Sequence, residues 1–322
     1  MKALVQDGYG GPEVLRIVDL PIPQLGREDV LVRVHAASLN EWDNGLMRGA
    51  PLINRIGGPR RARHRVLGSD IAGVVEAVGP AVTGFQPGDE VFGDLSASGF
   101  GAFAEYARAP ESALTRKSAS LSFQQAAAVP QAGGLAVAGL RKAGPLTAGQ
   151  RLLMNGGGGG VGTFAIQIAK ANGAQVTGVD GPGKLEAMRR VGADDVVDFT
   201  REDFTRSGQR YDLILDVVGR RSLGDYRRAL RPGGVCGVIG GSTGRLVTAA
   251  VLGQTLRLSA GRRVSLVVYR ANKADDVALL VRLIDEGAVV PVIDRVFPLS
   301  EGPQAMRHYL GGGFAGKIVI TM

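Results

Sequence analysis

The 322-residue chain is poor in the residues that build disulfide scaffolds, metal clusters and stacking surfaces. It has one cysteine (Cys236), one tryptophan (Trp42) and three histidines (His35, His64, His308). A lone cysteine excludes an intramolecular disulfide and a cysteine-rich zinc module, and its Gly-rich apolar setting reads as a plain buried thiol in a reducing, cytoplasmic environment. The histidines fall on a strand pattern, in a basic loop and on a tail helix, so each is expected to be structural or on the surface. Aromatic residues make up only 5% of the chain, too few for a base-stacking platform. Long apolar runs are also missing: no window approaches the roughly 18 residues of a membrane span, and the first residues lack a signal-peptide core. A soluble, unexported protein is expected.

The formal charge of +8 admits nucleic acid, a membrane surface or an anionic cofactor as partner. The arginines are dispersed, and the one dense run, Arg55 to Arg65, carries Gly and Pro without interleaved aromatics. It reads as a solvated loop, and nucleic acid is not an expected partner.

What the chain does have is glycine, and it is concentrated in Asn155 to Lys170, NGGGGGVGTFAIQIAK. Successive glycines disfavour both strand and helix because each loses extra backbone entropy when ordered. Gly157, Gly159 and Gly162 satisfy G-x-G-x-x-G, the spacing that turns a strand sharply into a helix and brings backbone N–H groups close to a pyrophosphate. The context agrees: apolar Leu152–Met154 precedes, a helical pattern follows, and the next strand candidate, Gln175 to Asp180, ends in an acid.

Residues 1 to about 110 read as short strands separated by Gly, Pro and Asp: Met1–Val5, Val14–Val18, the alternating, half-buried Val30–His35, Asp70–Val78, Glu90–Gly93 and Ala102–Ala107. A small, partly open barrel is implied. From Ser122 the period becomes helical, with Ser122 and Gln125 at capping-box spacing. Strands and helices then alternate through Val235–Ile239, which demands a parallel doubly wound sheet with ligands outside the carboxyl ends of its strands. Val264 to Tyr269 reads as an apolar exposed edge strand, which pairing in a homodimer would cover. The tail, with Val289–Val290, Arg295–Phe297 and Lys317–Ile320, returns to β character.

The ordered succession Leu67–Val75, Phe85–Val91, the glycine loop, Val191–Asp195, Tyr211–Asp216, Leu230–Gly234 and Gly316–Ile320 resembles the quinone oxidoreductase (zeta-crystallin-like) branch of the medium-chain dehydrogenase/reductases almost end to end. The resemblance implies a GroES-like barrel, residues 1–121 plus 290–322, and a Rossmann NAD(P)-binding domain, residues 122–289, with the cofactor in the cleft between them. In the zinc-dependent branch a catalytic Zn²⁺ polarises the alcohol oxygen. Here the position resembling the first cysteine ligand is Asn40, that of the G-H-E histidine is Ser69, and the four-cysteine structural loop is absent, so no metal is expected.

Hydride transfer without a metal requires an electron-poor acceptor, and a quinone or α,β-unsaturated carbonyl qualifies. Asn40 is the first candidate for a polar group beside the acceptor, with Asp43 shaping the pocket; capping of the turn after the strand is the alternative for both. Trp42 is a candidate to stack on a flat acceptor. For the cofactor, N–H groups of Gly159, Gly160 and Val161 are expected at the pyrophosphate. Val218–Gly219 and Ile239–Gly240–Gly241 resemble segments lining the adenosine and nicotinamide halves. Where the family often has a threonine near the nicotinamide, this chain has Leu135, which leaves Gln131 as a substitute donor.

Asp180 is placed to accept hydrogen bonds from both adenosine ribose hydroxyls and to repel a 2′-phosphate, favouring NADH, whereas the resemblance favours NADPH, with Lys184 in reach of its phosphate. Both cofactors stay open. The resulting expectation is a zinc-independent NAD(P)H-dependent reductase of quinones or activated alkenes. An enoyl-thioester reductase, using the basic loop to hold a phosphate, and a nucleotide-responsive RNA-binding or crystallin-like structural protein are the alternatives.

Overall fold

The computed structural model describes residues 1–55, 58, 62–144, 146–241 and 255–322. The chain forms two units, one of Met1–Gln131, Ala271–Val281 and Pro291–Met322, the other of Ala132–Arg270 and Arg282–Val290. In the first, β1 (Lys2–Gln6) and β2 (Leu15–Asp19) pair antiparallel across a Gly/Pro turn. The long β3 (Asp29–Ser38) leads into α1 (Glu41–Arg48) and pairs antiparallel with β4 (Asp70–Val78), which pairs in turn with β5 (Glu90–Asp94). The first half of β3 also pairs with β6 (Tyr106–Pro110), while β5 pairs with β7 (Leu114–Arg116). Val30, Val32, Val34, Ile71, Val75 and Val91 fill the core of this unit.

Two expectations need correction here. The strand expected over Ala102–Ala107 lies at Tyr106–Pro110, because Ala102 and Phe103 donate their N–H groups to Gly68 and Leu67 and Phe103 O accepts from Leu4. And β3 is not half-buried: Leu31 is buried along with Val30 and Val32, and Arg33 is the exposed position. Leu31 lies between β4 and β6, in register with Ala77 and Arg108, and α2 (Phe123–Ala127) packs on β3 with Phe123 stacked on His35 at 4.3 Å. The Ser122–Gln125 capping box is formed, Gln125 N donating to Ser122 Oγ at 3.2 Å and Ser122 N to Gln125 Oε1 at 3.0 Å. It is followed by α3 (Pro130–Leu140), with proline at the first helical position, where a missing N–H costs nothing. Of the basic run Arg55 to Arg65, residues 56, 57 and 59–61 lie outside the described residues; Arg55 donates to Gly49 O and Arg65 to Asp7.

The second unit alternates β8 (Arg151–Asn155), α4 (Gly160–Ala171), β9 (Gln175–Asp180), α5 (Leu185–Arg190), β10 (Asp195–Asp198), β11 (Tyr211–Asp216), α6 (Leu223–Ala229), β12 (Leu230–Val238), β13 (Thr255–Arg257) and β14 (Arg263–Leu266). The sheet order is β10-β9-β8-β11-β12-β14-β13, parallel except for the β13–β14 pair. From β8 the chain winds outward to β10, then returns to the other side of β8 as β11. Strand order therefore reverses at β8, and the carboxyl ends around it form the crevice where doubly wound sheets bind ligands. Leu152, Leu153, Met154, Ile214 and Leu215 are buried without alternation, as a parallel sheet covered on both faces requires.

The expected edge strand is also corrected: β14 has β12 on one side and β13 on the other, so its backbone is paired across both edges. Val289 and Val290 do not form a strand. Val290 instead exchanges two hydrogen bonds with the Gln167 side chain of α4. The chain then returns to the first unit as β15 (Ile293–Pro298) and β16 (Lys317–Thr321), and β16 pairs antiparallel with β3 in the register Val319↔Ser38. That register sets Lys317 beside Leu39 and Asn40.

Candidate active site

The glycine turn joins β8 to α4, with Gly159 as N-cap. A Cβ at Gly162 would sit 2.3 Å from Gly156 O and 2.5 Å from Gly157 C, so any side chain there would push the helix off the turn. At Gly159 a Cβ would meet only Gly156 O, at 3.5 Å. Glycine at that position is therefore not demanded by the protein's own packing, and its effect is to leave the approach to the helix start clear. Gly159 N donates to Gly156 O, and Thr163 N is bonded to Gly159 O. The N–H groups of Gly160, Val161 and Gly162 lie between them, at positions where a helix has no internal acceptor. Of the expected donors Gly159, Gly160 and Val161, Gly159 thus spends its N–H on the turn, and Gly162 joins the other two among the first-turn N–H groups.

Asp180 ends β9 beside this turn. Its Oδ2 accepts from Gly158 N at 3.0 Å and its Oδ1 from Gly181 N at 2.8 Å. Lys184 Nζ stands 3.7 Å from Oδ1, both side chains being mostly buried. The carboxylate is therefore fixed in place by backbone donors, with a second lone pair on each oxygen still available.

Asp216, which carries no motif of its own in the sequence, organises the other half. It is fully buried at the end of β11; its Oδ1 accepts from Asn155 Nδ2 at 2.9 Å, Val218 N at 2.8 Å and Gly219 N at 2.7 Å, and its Oδ2 from Tyr226 Oη at 2.8 Å. Gly219 adopts φ 62°, and a Cβ there would lie 2.1 Å from Gly240 O. Ile239 N donates to Asp216 O at 2.8 Å. Val218, Gly219, Ile239, Gly240 and Gly241 are thus brought together with Gly157–Gly162 at the carboxyl ends of β8, β11 and β12.

In the first unit, Asn40 caps α1 and Asp43 is its third residue. Asp43 Oδ2 accepts from Asn40 N at 2.8 Å and Oδ1 from Gly68 N at 2.9 Å. Burial pushes the Asp43 carboxyl up to about 7 against those two donors. Gly68 has φ 92°, and a Cβ would strike Phe103 Cδ1 at 2.6 Å, so the turn presenting Ser69 requires glycine. Asn40 and Asp43 stand as the capping box of α1, and the Asn40 side chain has further partners. Its Nδ2 donates to Ser69 Oγ at 3.1 Å and Asp70 Oδ2 at 2.9 Å, and its Oδ1 accepts from Lys317 Nζ. Both amide hydrogens are spoken for, so Asn40 offers none to an acceptor unless it gives up a partner. Trp42 is about half exposed on α1. Gln131, on α3, is 4% exposed; its N donates to Asp70 Oδ1 at 3.2 Å and its Nε2 is buried without an acceptor. A stranded amide donor costs about 1–3 kcal/mol, which a ligand oxygen would recover.

Residues 26–119 match the alcohol dehydrogenase GroES-like domain family, and residues 191–320 the zinc-binding dehydrogenase family. The mouse mitochondrial NAD(P)H oxidoreductase RTN4IP1 is 33% identical across the whole chain and 89% of its own length. The 2-methylene-furan-3-one reductase of Solanum lycopersicum is 32% identical over 99% of the chain and 79% of its own. The chain is a medium-chain dehydrogenase/reductase. Among solved structures, the Coxiella burnetii quinone oxidoreductase superposes with a TM-score of 0.87 at 29% identity, covering 100% of this chain and 99% of the other. Within this family the two units are the GroES-like domain and the Rossmann domain.

The zinc named in the second family description does not fit the residues present. At the two ligand positions stand an amide, Asn40, and a hydroxyl, Ser69, already bonded to each other, and an ammonium, Lys317, bonds the Asn40 oxygen. A divalent cation there would face a positive charge and no thiolate or imidazole. Among the described residues no group of three or more His, Cys, Asp or Glu side chains is arranged to hold a metal.

Proposed function

We propose that this medium-chain dehydrogenase/reductase is an NAD(P)H-dependent, zinc-independent reductase of quinones and α,β-unsaturated carbonyls. The observation that carries the reading is the clear approach at Gly159 to the N–H groups of Gly160, Val161 and Gly162, at the point where strand order reverses. A pyrophosphate is the ligand such a turn suits, since the helix dipole and three converging donors favour an anion. The names of the relatives supply the acceptor class. A bound reduced nicotinamide supplies the hydride, and an acceptor that is already electron-poor needs no metal to receive it. The protein's own part is to bind and orient. Gln131 Nε2 is the buried donor left for a ligand oxygen, while the side chains of Asn40 and Asp43 are held by protein partners.

Between the two cofactors the reading is NADH. The fixed Asp180 carboxylate suits two ribose hydroxyls, whereas a 2′-phosphate would have to sit against it with Lys184 already engaged. Initial rates with NADH and NADPH against benzoquinones, alkyl enones and an enoyl thioester test the whole reading. Turnover of quinones or enones is expected; turnover of the thioester alone, or of none, would replace it. The reading also includes a cytoplasmic homodimer, joined through the outer strand Thr255–Arg257, which has no further strand neighbour among the described residues. A monomer by light scattering at micromolar concentration would remove the dimer.

A further inference from the structure

We propose that Lys317 is a positioning residue, a tethered cation that organises the GroES-like domain where zinc-binding relatives use a metal. Its side chain is 4% exposed and opens β16. Nζ donates to Leu39 O at 2.9 Å and to Asn40 Oδ1, and stands 3.5 Å from Asp70 Oδ2, one target for each ammonium hydrogen. Asp70 is fully buried and is the hub: Oδ2 also accepts from Ser38 Oγ at 2.9 Å and Asn40 Nδ2 at 2.9 Å, and Oδ1 from Gln131 N at 3.2 Å. Segments far apart in sequence, β3, the cap of α1, β4, α3 and β16, thus meet on one carboxylate and one ammonium.

The ammonium also decides which way the Asn40 amide faces. Its oxygen turns to Lys317, so its nitrogen must face Ser69 and Asp70. With the charge removed, the Asn40 oxygen loses its donor and Asp70 becomes a buried carboxylate with no counter-ion, a more costly state than a buried pair. A cation carried on a side chain cannot dissociate, and its three hydrogens are already directed at protein oxygens. It therefore orders the site without acting as a Lewis acid toward an acceptor.

The test is Lys317→Ala, which deletes three methylenes and the ammonium and leaves a void shaped for n-propylammonium. Thermal unfolding of the full chain is followed with propylammonium chloride, tetramethylammonium chloride and sodium chloride at equal ionic strength. The expected result is a midpoint lower by about 5 °C or more in the variant, restored by propylammonium and not by the other two, with no such response in the wild type. Equal effects of all three salts, or an unshifted midpoint, would overturn the proposal. If Lys317→Ala does not fold, Lys317→Met is compared with Lys317→Met/Asp70→Asn. The double variant is expected to be the more stable, and equal or lower stability would overturn the proposal.

A second arm, which rests on the reductase reading, follows kcat and the KM for the nicotinamide. Lys317→Ala is expected to lose at least tenfold in kcat with KM within twofold, and propylammonium to restore kcat. A wild type without activity would count against the reductase reading alone. An active wild type whose variant is not rescued would count against Lys317.

Discussion

The Asn155 amide donates to the Asp216 carboxylate at 2.9 Å and ties together the ends of the two neighbouring strands at which strand order reverses. Because the same oxygen takes the N–H groups of Val218 and Gly219, one buried side chain ties that backbone segment to the end of β8. Asp216→Ala would remove the carboxylate that accepts from four donors and is expected to cost about 3 kcal/mol or more in unfolding free energy. Asp216→Asn keeps the oxygen that faces three of them and can donate to Tyr226 Oη, so its loss should be about 1 kcal/mol. Denaturant titration of both variants checks the order; equal losses would contradict the network.

Two glycines of the turn should respond differently. Gly162→Ala places a Cβ within 2.5 Å of the Gly157 backbone and is expected to destabilise the Rossmann domain by about 1–3 kcal/mol. Gly159→Ala meets nothing closer than 3.5 Å and should fold normally, yet weaken nicotinamide binding tenfold or more by covering the N–H groups. Thermal unfolding and cofactor titration, run on both, separate the two roles.

The proposed preference for NADH rests on Asp180. Asp180→Ser removes the fixed negative charge that a 2′-phosphate would meet beside Lys184. The ratio of kcat/KM for NADPH over NADH should rise tenfold or more. An unchanged ratio would show that Asp180 does not select.

Asp43 carries a pH signature. Its carboxyl lies near 7 in the folded chain, raised by burial from an ordinary 3.8. Between about pH 4 and 7 the folded chain holds a proton that the unfolded chain has released. Its contribution to stability is therefore greatest at the acid end and is lost as pH rises, by up to about 1.4 kcal/mol per unit. Asp43→Asn lacks this contribution, so the wild type's stability relative to the variant should fall across that window and level off above it. A constant difference from pH 4 to 8 would contradict the assignment.

Much of this architecture was legible because the local signals are strong and repeated. The glycine turn, the Ser122–Gln125 box and the apolar runs of β8 and β11 each act through backbone chemistry that sequence spacing encodes. What was not legible depends on strand register. Lys317 reads as an ordinary charge before an apolar run, and only the pairing of β16 with β3 brings it to Asn40. Asp216 ends its strand as Asp180 does, and that parallel was the available signal, but its four donors come from four separate positions. Val264–Tyr269 looked like an edge because its antiparallel partner, Thr255–Arg257, is only three residues long and too short to register as a strand pattern.

The most direct measurement is the fate of the hydride. Nicotinamide cofactor deuterated at C4, prepared separately as each of its two stereoisomers, is incubated with the protein and an α,β-unsaturated ketone, and the product is analysed by NMR. Deuterium is expected at the β-carbon from one stereoisomer and none from the other, with the α-hydrogen drawn from solvent. Reduced product without label from either stereoisomer, or no product from any quinone or enone, would contradict it.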